Sequence, residues 1–227
     1  MHPILNTTTN VIWKTALFDL DGVVFDTEPI YTKFWEVECK RYHPETPGLE
    51  YRIKGQTLTQ IFEGYFSDVA HEHPAIEERL NDFESKMEFK YIPGFVEFVE
   101  EARKEGIHTA VVTSSNRIKM QAVYRAHPEV SDFFDRILTS EDFAESKPSP
   151  DCYLRGAEAF GSKPAECVVF EDSINGLKAG MASGARVVGL STTNAPHTIQ
   201  ALCHLIVPDF TGLGVAQCRQ LVAQQNL

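Results

Sequence analysis

The chain has 227 residues, 43% of them hydrophobic and 23% charged, a globular composition with enough apolar material for a sizeable core. Its 32 acidic and 21 basic residues leave a net charge of −11, which disfavours a nucleic-acid partner held through phosphate contacts. No apolar run approaches the roughly 20 residues that span a bilayer, so no membrane partner is expected.

In chain order, residues 1–11 read as a loose tail with none of the marks of a signal peptide. An apolar run over 12–18 predicts a strand and ends abruptly in Asp19-Leu20-Asp21-Gly22. Residues 27–91 carry no convincing strand, only helical stretches at 30–41, 57–66 and 75–89 broken by Pro44, Pro47, Gly48 and Pro74. From 92 onward short apolar runs at 109–112, 136–138, 167–170, 186–190 and 205–207 alternate with helical patterns. The helices fall at 94–104, 151–159 and 176–182. The alternation predicts an α/β fold with a doubly wound parallel sheet. It consists of a core, residues 12–26 plus 92–227, with a small all-helical insertion, 27–91, after the first strand.

The polar residues that close these strands carry the chemistry. Asp19 and Asp21 sit two apart, so strand geometry sends both carboxylates to one side. They stand beyond the carboxyl end of a strand, where ligands of parallel sheets gather. Alone, D-x-D-G is equally a turn. Thr113-Ser114-Ser115-Asn116 closes the second run with hydroxyls and amides able to hold an anion, or simply to cap a helix. Lys147 stands among prolines in 146–150, a cation with a restricted backbone or a plain surface lysine. Glu171-Asp172 closes the 167–170 run and suits a hard cation with oxygen ligands; its simpler role is again a helix start. His71 and His73 read as polar loop residues rather than a second metal site. Trp35 reads as helix packing and Tyr31 as lining a cleft. The five cysteines, Cys39, Cys152, Cys167, Cys203 and Cys218, show no C-x-x-C pair. They read as thiols of a reducing compartment, which points to the cytoplasm.

Taken together, FDLDGVV, VVTSSN, SKPSPD and VFEDS, in this order and followed by GLKAGMASGA, resemble the haloacid-dehalogenase-like phosphotransferases, over about residues 14–212. The insertion resembles the small cap of their branch containing β-phosphoglucomutase and the sugar-phosphate phosphatases. The resemblance implies a Mg²⁺-dependent phosphatase of small phosphorylated metabolites, sugar phosphates first among them, and a monomer. Asp19 would be the nucleophile that forms an aspartyl phosphate. Asp21 would be the acid and base. Thr113 and Ser114, with Ser115 and Asn116, would hold the phosphoryl group, and Lys147 would neutralise it. Asp19, the carbonyl of Asp21, Asp172 and Glu171, the last directly or through water, would hold the metal. Lys54 and Gln56 of the cap loop would reach the leaving group.

Two positions depart from the mutases of the branch. Their cap-helix histidine is Tyr31 here, and the arginine of their K-G-x-S-R loop is Leu58 in Lys54-Gly55-Gln56-Thr57-Leu58. A bisphosphate intermediate needs that second clamp, so water is the expected acceptor. A phosphosugar mutase and an inorganic pyrophosphatase are the alternatives within the resemblance. A non-catalytic phospho-ligand binder is the alternative outside it. A dehalogenase needs no such metal set, and a signalling receiver domain carries its aspartate on a middle strand and has no cap.

Overall fold

The computed structural model describes residues 11–224; residues 1–10 of the expected tail lie outside the described residues. Six strands form one parallel sheet: β1 Thr15–Phe18, β2 His108–Val112, β3 Arg136–Leu138, β4 Cys167–Glu171, β5 Arg186–Leu190 and β6 Leu205–Val207. Between β1 and β2 lie α1 Glu28–Tyr42, α2 Leu49–Arg52, α3 Leu58–Tyr65, α4 His73–Ser85 and α5 Phe95–Lys104. Then α6 Arg117–Ala126 and α7 Val130–Phe133 follow β2, α8 Asp151–Glu158 follows β3, α9 Ile174–Ser183 follows β4, α10 Pro196–Ile199 follows β5, and α11 Val215–Ala223 closes the fold.

Strand order is β3-β2-β1-β4-β5-β6. The chain therefore winds outward from β1 in one direction and returns to wind in the other, which leaves a crevice at the carboxyl end of β1. Both faces of the sheet are covered, which is why its strands read as continuous apolar runs rather than alternating ones. Ala16, Phe18 and Phe170 point into a core with α5, α6 and α11. Their neighbours Leu17, Val169 and Val187 point into a second core with α8 and α9. β1 starts three residues later than its apolar run. Ile12 is exposed and Trp13 is buried beneath the strand, its Nε1 donating to the Thr15 carbonyl at 2.9 Å.

The helices from α1 to α4 enclose a core of their own, built on Phe34, Trp35, Ile53, Ile61, Phe66 and Ile76. Arg79 of α4 grips the buried Glu38 of α1 with two hydrogen bonds, at 2.9 and 2.7 Å. The two stretches joining these helices to the sheet run side by side, with Asp26 N–H donating to the Lys90 carbonyl at 2.8 Å and Ile92 N–H to Val24 at 2.9 Å. The helix expected over 75–89 ends at Ser85, because Met87 and Phe89 turn into the sheet-side core instead of continuing a helical face. His73 opens α4 rather than lying in a polar loop: its ring stacks on Phe62 at 4.0 Å and its Nε2 bonds the Phe66 carbonyl at 2.8 Å. No helix of the described residues is long and apolar enough to cross a membrane.

Candidate active site

At the carboxyl end of β1, Asp19 N–H donates to the Phe170 carbonyl at 3.0 Å, so the sheet's pairing extends one residue past the strand and fixes the Asp19 backbone. Gly22 then turns the chain at a φ of 73°, a conformation that favours glycine. A side chain there would also run into the Asp172 carboxylate. Asp19, Asp21, Thr113, Lys147 and Asp172 thus share one wall of a cleft of about 400 Å³.

Lys147 is buried and lies between two acids, its Nζ donating to Asp19 Oδ1 at 2.6 Å, Glu171 Oε1 at 2.7 Å and the Val112 carbonyl at 3.2 Å. Burial works against its charge, but Asp19 and Glu171 outweigh burial and hold its pKa well above the usual lysine value. One ammonium cannot neutralise two carboxylates. Burial, with Glu171 and Asp21 adding repulsion, therefore pushes Asp19 up to about 7 despite Lys147.

Asp21 has a different environment. Burial acts to raise its pKa, yet the ion pair with Lys119 and hydrogen bonds from Thr27 and Ser115 bring it below the usual carboxylate value. Lys119 is buried, pairs with Asp21 Oδ2, donates to Ser115 Oγ at 3.0 Å and lies 4.6 Å over the Tyr31 ring. Sequence reasoning missed it. The available signal was position: Lys119 stands in the first turn of α6, where the helix dipole disfavours a cation that lacks an acid partner.

Of the expected phosphate-holding residues, Thr113 is buried beneath the cleft and its Oγ1 accepts from Ser115 N–H at 3.0 Å. The Ser115 hydroxyl donates to Asp21 Oδ2 at 3.0 Å, and Ser114 lines the cleft. Asn116 also lines it, but its side chain caps α6 by accepting from Lys119 N–H at 2.9 Å.

The acidic pair divides its work. Glu171 is fully buried; one oxygen takes Lys147 and the Tyr153 hydroxyl at 3.0 Å, and the other takes the amides of Asp172 and Ser173, each at 2.9 Å. Glu171 is thereby spent as an anchor and does not line the cleft. Asp172 does line it. Its Oδ2 takes the Thr193 hydroxyl, while its Oδ1 is buried without a hydrogen-bond partner. Burial and the charges of Glu171, Glu28 and Asp19 drive its pKa well above the usual value. A buried carboxylate oxygen without a donor is a misfit in the protein alone. Four carboxylates, Asp19, Asp21, Glu171 and Asp172, also face only two ammonium groups, Lys119 and Lys147. The residues present therefore fit a divalent cation with oxygen ligands, taken by Asp172, Asp19 and the Asp21 carbonyl. Among the described residues no three acidic, histidine or cysteine side chains form a ready-made metal cluster, and this set needs only two carboxylates.

The opposite wall comes from the helical insertion. Its loop between α2 and α3 lies directly on the site. Gly55, at a φ of 68°, touches Ser173 so closely that a side chain would collide with it. Thr57 caps α3 in a reciprocal box with Gln60, and the Gln60 amide donates to the Lys147 carbonyl at 2.8 Å. Lys54 lines the cleft with its Nζ 3.7 Å from Glu28. Gln56 lines it too, but donates its amide to the Arg52 carbonyl at 2.8 Å. Tyr31 and Trp35 both line the cleft, and Trp35 is at the same time part of the helical core.

A model of the haloacid dehalogenase-like hydrolases matches residues 13–184. The chain belongs to the haloacid dehalogenase-like hydrolases. Among curated relatives it is 28% identical over 190 residues to the protein CbbY of Rhodobacter capsulatus, covering 77% of this chain and 84% of that one. It is 30% identical over 190 residues to hexitol phosphatase A of Escherichia coli, covering 81% and 84%. Among solved structures, a haloacid dehalogenase-like hydrolase of Entamoeba histolytica superposes with a TM-score of 0.79 at 24% identity, over 92% of this chain and 99% of that one.

Proposed function

We propose that this hydrolase is a Mg²⁺-dependent phosphatase of small phosphorylated metabolites, sugar phosphates among them, working through a phosphorylated Asp19 in the cytoplasm. The observation that carries it is the convergence of Asp19, Lys147, Thr113 and the orphaned Asp172 oxygen on one cleft wall. The phosphatase named among the relatives supports the same reaction class.

Bound by Asp172, Asp19 and the Asp21 carbonyl, Mg²⁺ would supply charge neutralisation for an incoming phosphoryl group. Lys147 occupies Asp19 Oδ1, so attack on phosphorus falls to Oδ2. The Thr113 hydroxyl and the Ser114 amide would hold the phosphoryl oxygens as the bond to the leaving oxygen breaks. Asp21 starts ionised in its pair with Lys119. That pair must therefore open as substrate enters, and Asp21 must take up a proton, from solvent or the phosphate monoanion, which it then passes to the leaving oxygen. The same carboxylate, ionised again, takes the proton of the water that hydrolyses the aspartyl phosphate. The five cysteines are free thiols, and burial pushes Cys39, Cys152, Cys167 and Cys218 up to about 12. They belong to packing rather than to chemistry.

Water rather than a second sugar phosphate is the acceptor because Leu58 brings no charge to the cleft and the Tyr31 hydroxyl is committed to Glu84 Oε1 at 2.6 Å. With β-glucose 1-phosphate and Mg²⁺, any product should be glucose and inorganic phosphate, and added glucose 1,6-bisphosphate should elicit no isomerisation. Glucose 6-phosphate as the main product, read by a coupled dehydrogenase, would restore the mutase.

A further inference from the structure

Of the four central strands, β2, β1 and β4 deliver side chains to the proposed chemistry, while β5 ends in Ser191-Thr192-Thr193-Asn194. Ser191 N–H donates to the Val207 carbonyl at 2.9 Å, so pairing with β6 runs one residue past the strand. The next three side chains all reach residues of the site. The Thr192 hydroxyl donates to the Gly22 carbonyl at 2.6 Å, the Thr193 hydroxyl to Asp172 Oδ2, and the Asn194 amide to the Asp172 carbonyl at 2.9 Å. Packing here is tight: a Cβ on Gly22 would stand 2.1 Å from Asp172 Oδ2 and 3.0 Å from Thr193 Oγ1. Thr192 and Asn194 thus tether Thr193 from either side, with its hydroxyl held against one oxygen of Asp172.

A carboxylate offers a cation one oxygen or two, and divalent ions differ in which they take. Mg²⁺ demands a compact octahedron and keeps several of its waters, whereas Ca²⁺ accepts about six to eight oxygens and readily takes both from one carboxylate. Asp19 must keep an oxygen for phosphorus and already has Lys147 on Oδ1. Asp172 is therefore the carboxylate whose denticity decides. Its Oδ1 is buried without a partner, and its Oδ2 is taken by Thr193. We infer that Thr193 is a positioning residue that sets the cation specificity of the site: by occupying Oδ2 it leaves Asp172 a single free oxygen, which suits Mg²⁺ and denies Ca²⁺ a two-oxygen grip. This inference rests on the metal-dependent reading and adds the residue that chooses between the ions.

Calorimetric titration of the substrate-free protein with Mg²⁺ and with Ca²⁺ gives the ratio of their dissociation constants without any turnover. In the wild type Mg²⁺ should bind at least as tightly as Ca²⁺. Thr193→Val removes the hydroxyl at nearly constant size and frees Oδ2. Mg²⁺ affinity should then fall about tenfold, as when a group that orients a metal ligand is lost. Ca²⁺ affinity should hold or rise, so the ratio moves toward Ca²⁺ by roughly tenfold or more. Thr193→Ser keeps the hydroxyl and should keep the wild-type ratio, which a packing role for the threonine methyl would not allow. Thr193→Ala, which adds no bulk, carries the same expectation as Thr193→Val if the latter does not fold. An unchanged ratio without the hydroxyl, a Thr193→Ser that behaves like Thr193→Val, or a wild type that prefers Ca²⁺ overturns the role of Thr193 and leaves the metal reading standing. A wild type that binds neither ion overturns both.

Discussion

Lys119 and Asp21 form an ion pair in which both side chains are largely withdrawn from water, 3% and 17% exposed. Truncating one partner of such a pair strands the other, at a cost of about 3 kcal/mol. Lys119→Met keeps the stem over Tyr31 and removes only the charge, so chemical denaturation at neutral pH should show a loss of that order. The sign with pH follows from Asp21. Its folded pKa is depressed, so its contribution is present above the unfolded value of 3.8 and is lost as pH falls through the folded value. The wild-type advantage over Lys119→Met should therefore shrink in acid, and an advantage that grows in acid would contradict the pairing. This contact was invisible in the sequence because it joins residues 98 positions apart. Asp19, Asp21, Thr113, Lys147 and Asp172 could be gathered into one site beforehand because their motifs together resemble those of a known family; their places at or after strand ends alone left a turn, a helix cap or a surface lysine equally open. Glu28, Glu84 and Thr193 face the site from other elements, and only packing brings them there.

Among the elements, the loop that carries Lys54 and Gln56 is held by contact rather than by charge. Gly55 abuts Ser173, and Gln60 ties the start of α3 to the Lys147 carbonyl. A Gly55→Val side chain cannot share that space and cannot relax into the positive φ. It should lift the loop and lower kcat/KM about tenfold to a hundredfold. The far-UV spectrum should be unaltered, since the loop lies outside every strand. Full activity in Gly55→Val would mean that the loop does not close on the site. The six strands were legible because burial on both faces leaves unbroken apolar runs. The helices were less so. α11 buries Val215, Cys218 and Val222 at helical spacing, but its polar residues hide the pattern. The end of α4 was set by Met87 and Phe89 finding a different core, which no local periodicity records.

The whole molecule is acidic, with a net charge of −11, and it gathers part of that charge at one point. Burial, reinforced by neighbouring acids, raises Asp19 to about 7, Glu28 to about 7 and Asp172 well above its usual value. An acid whose folded pKa exceeds its unfolded one favours folding at low pH and loses that contribution as pH rises through the folded value. In excess chelator, thermal stability should fall between about pH 5 and pH 8, by roughly 2–4 °C for each kcal/mol lost. Millimolar Mg²⁺ should restore more at pH 8 than at pH 5, because the cation binds the ionised carboxylates. Equal Tm across that range in chelator, or a Mg²⁺ effect larger at pH 5, would remove the electrostatic case for the metal.

The proposed chemistry begins with attack of Asp19 on phosphorus. Asp19→Asn is nearly isosteric and leaves Lys147, Thr113 and Asp172 in place, so phosphate release from a common substrate with saturating Mg²⁺ isolates the nucleophile. The variant should be folded and slower than wild type by roughly four orders of magnitude or more; a folded Asp19→Asn that keeps a tenth of wild-type turnover would rule out Asp19 as the nucleophile.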